Sequence, residues 1–266
     1  TIPPTHTGTM HEVSVIGCGN MGRSLITGLA RDGGFTLTGY DIDPDALAAV
    51  EDMCHPTDDL AVATTAPTVV LAVKPTIVPI VLEELELSTS QTLMTIAAGV
   101  EREYVRAHTP ATVVRVMPNL AAEYGEMAAA VSWDAPDTGV QAILDAVGSY
   151  VEIDESLMDI ATALNGSGPA FVYYLIAAMA DRAAAAGMPP ADARVLATQT
   201  FKGAATTVAA ADAPIDALID AVCSPQGTTI EGMDVLRASA VAEEVGDALD
   251  AAARRSAELA AEVNDA

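Results

Sequence analysis

The rhythm of apolar and polar positions changes once along this chain. Up to about residue 153, short runs rich in valine, isoleucine and threonine alternate with stretches whose apolar residues recur at helical spacing. The runs predict strands over Glu12–Ile16, Thr36–Tyr40, Thr68–Val73, Thr92–Ala97, Thr112–Met117, Met127–Ser132 and Tyr150–Ile153. The stretches between them predict helices over Met21–Arg31, Asp45–Asp52, Ile77–Glu84, Arg102–Ala107 and Thr138–Val147. Asp43-Pro44 supplies one helix with a cap and a first-turn proline. Alternation of this kind predicts an α/β, Rossmann-type, mostly parallel sheet with helices on both faces.

After Ile153 the strand pattern stops. Helices are predicted near Ser156–Leu164, Pro169–Ala186, Ala191–Ala210, Ile215–Ala221, Thr229–Arg237 and Val241–Val263. Ser156-x-x-Asp159 resembles a capping box, and Gly187 with Pro189-Pro190 ends one helix and starts the next. Val241, Val245, Leu249, Leu259 and Val263 mark one apolar stripe on the last helix. Two domains are expected: a dinucleotide-binding domain over 10–154 and an all-helical one over 155–266, packed tightly around an active-site cleft. Thr1–Thr9 reads as a disordered tail, with Met10 the expected start.

Composition narrows the function. Acids outnumber bases 37 to 12, for a net charge of −25, and the only lysines are Lys74 and Lys202. No basic face can be built, which excludes nucleic-acid partners. The acids are dispersed, so they coat a folded surface; with so little lysine, they point to adaptation to high salt. No apolar run is long enough to span a membrane and no basic leader precedes one, so a soluble cytoplasmic protein is expected. Cys18, Cys54 and Cys223 stand far apart without a CxxC, and His6, His11, His55 and His108 lie singly. That pattern predicts neither disulfides nor a metal site.

The chemistry begins at Ile16-Gly17-Cys18-Gly19-Asn20-Met21-Gly22, between the first strand and first helix. Gly17 allows the sharp turn, Gly19 lets a pyrophosphate approach the backbone, and Gly22 lets the helix pack on the sheet. The helix N-terminus faces the phosphates with unpaired N–H groups. Asp41, 19 residues beyond Gly22, stands where a ribose-binding acid is expected. In the helical half, Leu164–Phe171 and Cys223–Glu231 combine glycines with hydroxyls. Thr228-x-x-Glu231 fits a capping box, so a helix starting near Thr229 would offer a carboxylate its free N–H groups.

With these motifs in view, the chain resembles the pyrroline-5-carboxylate reductase family. The resemblance is carried by the glycine turn, Leu71-Ala72-Val73-Lys74-Pro75, Ile96–Val100, Val113–Asn119, Leu164–Phe171 and Ser224–Ile230. It implies reduction of 1-pyrroline-5-carboxylate to L-proline by NAD(P)H, the last step of proline biosynthesis. It also implies a homodimer or higher homo-oligomer, rings of five dimers included, with the helical half interlocked between subunits. The chain departs from the family pattern at Leu120-Ala121-Ala122, after Met-Pro-Asn, and at Gln226, where a glycine is usual.

Motif position then assigns roles. Gly17, Gly19, Asn20, Met21 and Gly22 take the pyrophosphate and Asp41 the adenosine ribose. Val73, Lys74 and Pro75 face the cofactor crevice, while Ala97, Ala98 and Gly99 line the nicotinamide pocket with Asn119 beside it. Gly227, Thr228 and Thr229 grip the substrate carboxylate through N–H groups, and Ser167 and Gly168 close the other wall. By resemblance, the Thr229 hydroxyl donates to the imine nitrogen. NADH is expected over NADPH, because Asp41, Asp43 and Asp45 would repel a 2′-phosphate and no lysine or arginine lies between Arg31 and Lys74. Three alternatives stay open here: a paralogue with a related imine substrate, a 3-hydroxy-acid or keto reductase, and a dinucleotide-binding sensor without turnover. The hydroxy-acid chemistry usually needs a Lys, Tyr or His. The helical half has only Lys202, no histidine, and Tyr173 and Tyr174 in a helix expected to be buried.

Overall fold

The computed structural model describes residues 10–264; the expected tail Thr1–Thr9 and the side chain of Val263 lie outside what is described. The chain forms two compact units, 1–167 with 250–266, and 168–249. The strands do end at Glu152, but the units part at 167 and again at 249 rather than at the expected 154. Residues 155–167 therefore belong with the sheet.

In the first unit β1 (His11–Ile16), β2 (Phe35–Tyr40), β3 (His55–Thr57), β4 (Thr68–Leu71), β5 (Thr92–Thr95), β6 (Thr112–Met117), β7 (Met127–Ser132) and β8 (Gly148–Glu152) form one sheet. Their order is β3-β2-β1-β4-β5-β6-β7-β8. Every neighbouring pair is parallel except β6 and β7. The chain leaves β1 in one direction and returns at β4 in the other, which makes the carboxyl ends of β1 and β4 the switch point where ligands bind in such sheets. Ile16 is level with both Tyr40 and Leu71, so the ends of β2, β1 and β4 form one rim.

The central strands read as unbroken apolar runs because both faces are covered. Val13, Val15, Val70, Met94, Val114 and Val116 pack into one cluster; Ile16, Val69, Leu71, Leu93 and Val113 pack into another. Alternate residues thus serve opposite layers. β3 escaped the sequence reading because it is three residues long, lies at the edge and has Pro56 in its middle.

Asp43 caps the helix Pro44–Ala48 as expected, accepting from the Asp45 N–H at 3.0 Å. The capping box at Ser156 is not formed. Asp154 is the cap of the 3₁₀ turn Glu155–Leu157 and accepts from both the N–H and the hydroxyl of Ser156. Glu155, next along, accepts from the Arg102 N–H at 2.8 Å and from Arg115 at 3.1 Å, tying this segment to β6.

The second unit contains the helices Gly168–Ala185, Pro190–Ala210, Ile215–Val222 and Thr228–Ala238, with the start of Val241–Asn264. Gly187 at φ 102° and Pro190 at the first helical position make the turn that sequence predicted. Its described residues bury only Ala193 and Ala197. Tyr173 and Tyr174 were expected to be buried, but in the single chain they are 64% and 76% exposed. The helix Gly168–Ala185 is apolar on nearly all sides, so one chain cannot cover it. The expected stripe on the last helix is likewise only half covered, with Val245 exposed.

Candidate functional site

The glycine turn sits at the switch point, and each glycine has its own cause. Gly17 is at φ 99°, and a Cβ there would lie 2.8 Å from the Ala72 carbonyl oxygen and 3.1 Å from Val73. A Cβ at Gly22 would collide with the Gly17 carbonyl, so the helix Asn20–Asp32 comes this close only because residue 22 has none. Gly19 has the opposite character: nothing lies within 4 Å of where its Cβ would be. It is the N-cap, no side chain closes the helix end, and Gly19 and Asn20 are both exposed. Met21 instead packs inward against the core. The cradle fits a pyrophosphate: open space, free N–H groups and the positive end of a 13-residue helix.

Asp41 follows β2 on the same rim. One of its oxygens accepts from the Cys18 N–H at 2.7 Å and the other from the Asp43 N–H at 3.0 Å. The acid therefore holds the glycine turn against β2 while each oxygen keeps lone-pair capacity for a ribose hydroxyl. Behind it, Gly39 makes room for two thiols: a Cβ there would lie 2.9 Å from Cys54 Sγ and 3.1 Å from Cys18 Sγ. Burial pushes the Cys18 thiol up to about 12, aided by Cys54 and Asp41, and the Cys54 thiol up to about 11. Both stay protonated and serve as packing under the turn.

Val73 lies against Gly17, and Lys74 is exposed at the N-cap of the short turn Pro75–Ile77 beyond β4. Ala97, Ala98 and Gly99 do not contribute alike. Ala97 is buried, and Gly99, at φ 74°, packs under the last helix: its Cβ would lie 2.7 Å from the Ala260 N. Ala98 alone stays half-exposed, packed on Met117, Ala130 and Met158. Asn119 is buried beyond β6. It caps the turn Leu120–Tyr124 through the Ala121 N–H and donates to the Asn165 carbonyl at 3.0 Å.

The substrate-side residues fall in both units. Ser167 closes the first and Gly168 opens the second; both are half-buried. Gly227, Thr228 and Thr229 lie in the second unit. The capping box at Thr228 is not formed: the helix begins at Thr228, Gly227 is its cap, and no side chain caps it. The Gly227 N–H is already engaged by the Ser224 carbonyl at 2.9 Å, so it is no longer a donor for a carboxylate. The first-turn N–H groups are those of Thr228, Thr229 and Ile230. Ile230 was not among the expected site residues, because a backbone donor carries no side-chain signature. Among the described residues no metal-binding group of His, Cys, Asp or Glu is gathered, and no helix is long and apolar enough to cross a membrane.

Two family models match. Residues 155–259 match pyrroline-5-carboxylate reductase dimerisation, and residues 12–99 match NADP oxidoreductase, coenzyme F420-dependent. A pyrroline-5-carboxylate reductase of Methanosarcina acetivorans is 36% identical over 93% of this chain and 97% of its own length. That of Escherichia coli is 33% identical over 93% and 98%. A crystal structure of Plasmodium falciparum pyrroline carboxylate reductase with NADP bound superposes with a TM-score of 0.85 at 27% identity. It covers 95% of this chain and all of that one.

Proposed function

The chain belongs to the pyrroline-5-carboxylate reductase family, and from that premise we propose how its residues reduce 1-pyrroline-5-carboxylate to L-proline with NAD(P)H. The observation that carries the reading is the open glycine cradle at the switch point, with Asp41 fixed beside it. When bound, the nicotinamide dinucleotide supplies hydride to the imine carbon. Gly19, Asn20 and Gly22 hold its pyrophosphate through backbone N–H groups, Gly17 shapes the turn with its own N–H given to the Tyr40 carbonyl at 2.8 Å, and Asp41 accepts from its ribose hydroxyls. Ala98 offers the apolar wall for the ring, and Lys74 stands at the crevice. The uncapped turn Thr228–Ile230 orients the substrate carboxylate, and Ser167 and Gly168 are further substrate-side residues. The Thr229 hydroxyl donates a hydrogen bond to the imine nitrogen, drawing electrons from the reacting carbon.

The active form is a homo-oligomer, a dimer or a ring of dimers. The exposed apolar helices of the second unit support this, since a single chain leaves them in water. NADH is the preferred cofactor. Asp43 and Asp45 follow Asp41, and no lysine or arginine lies between Arg31 and Lys74 to receive a 2′-phosphate. Two unit charges ~4 Å apart repel by ~4 kcal/mol at an effective dielectric of 20, which salt and rearrangement reduce to ~1–2 kcal/mol, or about tenfold.

The test is oxidation of NADH and NADPH on adding pyrroline-5-carboxylate or keto acids, with wild type and Asp41→Ser at several KCl concentrations. Turnover with the imine alone, about tenfold higher kcat/KM with NADH, and a smaller ratio in Asp41→Ser are expected. Turnover with keto acids instead would overturn the substrate assignment. An NADPH preference in wild type would overturn the ribose role of Asp41.

A further inference from the structure

Asn165 has no role assigned so far, yet its side chain joins two strands beside the substrate segment. It lies in a six-residue π-helical turn, Thr162–Ser167, that ends at Ser167 and leads directly into Gly168. Such wide turns are rare and are retained where a residue must be displaced from regular helix packing. Asn165 Nδ2 donates to the carbonyl of Met117 at 2.7 Å and to that of Ala128 at 3.0 Å. Met117 ends β6 and Ala128 lies in β7, so one amide spans the antiparallel pair. Both hydrogens of its NH₂ group are used.

The backbone of the same residue is also held. In an α-turn the Asn165 carbonyl would accept from residue 169, but residue 169 is proline and has no N–H. Asn119 Nδ2 donates to that carbonyl instead, at 3.0 Å, while Asn119 Oδ1 is fixed by the Ala121 N–H. The two asparagines thus clasp the turn to the end of β6 from both sides. The support is shared with the expected nicotinamide wall. Ala98 and Ala161 pack on the same small cluster of Met117, Ala130 and Met158, and a Cβ at Gly166 would lie 3.5 Å from Met117 Sδ.

We propose that Asn165 is a positioning residue of the reductase: by clasping the π-turn to β6 and β7, it sets where Ser167 stands relative to the Ala98 wall. The proposal rests on the reading of Ser167 as a substrate-side residue. Productive geometry tolerates errors of only about half an ångström, so loosening this turn shows first in substrate binding. The pyrophosphate turn follows β1, which β4 and β5 separate from β6, and is left intact.

The test compares wild type with Asn165→Ala and Asn165→Ser, measuring KM for pyrroline-5-carboxylate, kcat, NADH affinity by fluorescence, and the melting midpoint. Asn165→Ala should raise KM about tenfold or more with NADH affinity within about twofold of wild type. Asn165→Ser, which keeps one donor, should fall between the two. A wild-type KM in either variant overturns the proposal. So does a uniform loss of kcat, cofactor affinity and midpoint with KM unchanged, which is what general destabilisation produces. Should Asn165→Ala fail to fold, the serine variant decides by the same criteria. Failure of the functional reading is seen separately, as wild type that does not reduce the imine.

Discussion

Gln226 is the only non-glycine residue with positive φ among those described, at 59°. Pro225 and Gln226 are the central residues of a tight turn closed by the Gly227 N–H on the Ser224 carbonyl, a place where glycine or asparagine is usual. A side chain in the left-handed region costs ~1–2 kcal/mol, and replacing it with glycine returns ~0.5–1 kcal/mol of that to the unfolded chain's entropy. Gln226→Gly should therefore stabilise the protein by ~0.5–1 kcal/mol, read as a higher urea midpoint. A lower midpoint would mean that the glutamine side chain makes a contact outweighing its backbone cost. The departure from the family pattern was visible as a residue type; the strain became visible only with φ.

At the scale of elements, the central strands were legible because runs buried on both faces have little else to be. The helix ends were less so. Thr228 and Ser156 both had box spacing, yet Gly227 and Asp154 took the cap positions. Local hydrogen bonds compete within a residue or two, and the surrounding chain settles the register. For Thr228–Ala238 the outcome leaves the helix without a side-chain cap, so its first N–H groups keep their capacity for a ligand. Thr229 occupies the second helical position and is half-buried. Thr229→Ala should cost ~10²–10³ in turnover, the effect of removing one donor aimed at developing charge. NADH affinity should stay near wild type. Normal turnover in this variant would show that water delivers the proton and that the assignment is wrong.

The whole molecule is governed by charge and by uncovered apolar helices. A net charge of −25 strains any compact form by self-repulsion. Between ~0.1 M and ~1 M salt the Debye length falls from ~10 Å to ~3 Å, which quenches repulsion between dispersed surface acids. Melting midpoint and activity should both rise as KCl increases into the molar range. A midpoint that stays flat or falls would leave the acidic surface without a salt-adaptive role. The same screening should favour assembly, because it brings acidic copies together around the apolar faces of Gly168–Ala185.

Sequence alone determined what depends on residue type and local spacing. That covers the strand and helix succession apart from the short edge strand β3, the glycine turn with Asp41 after it, and the motifs that mark the family. These are short-range properties: a glycine at φ 99° or a proline at a helix start announces itself locally. Only the tertiary structure decided which groups are already spent. Gly99 went to pack the last helix, and the Asn119 amide to the Asn165 carbonyl. The placement of 155–167 with the sheet was settled in the same way, by Glu155 reaching Arg102 and Arg115 and by Asn165 reaching β6 and β7. Such pairings join residues 37 to 53 positions apart, and no local pattern encodes the partner of a buried polar group across that distance.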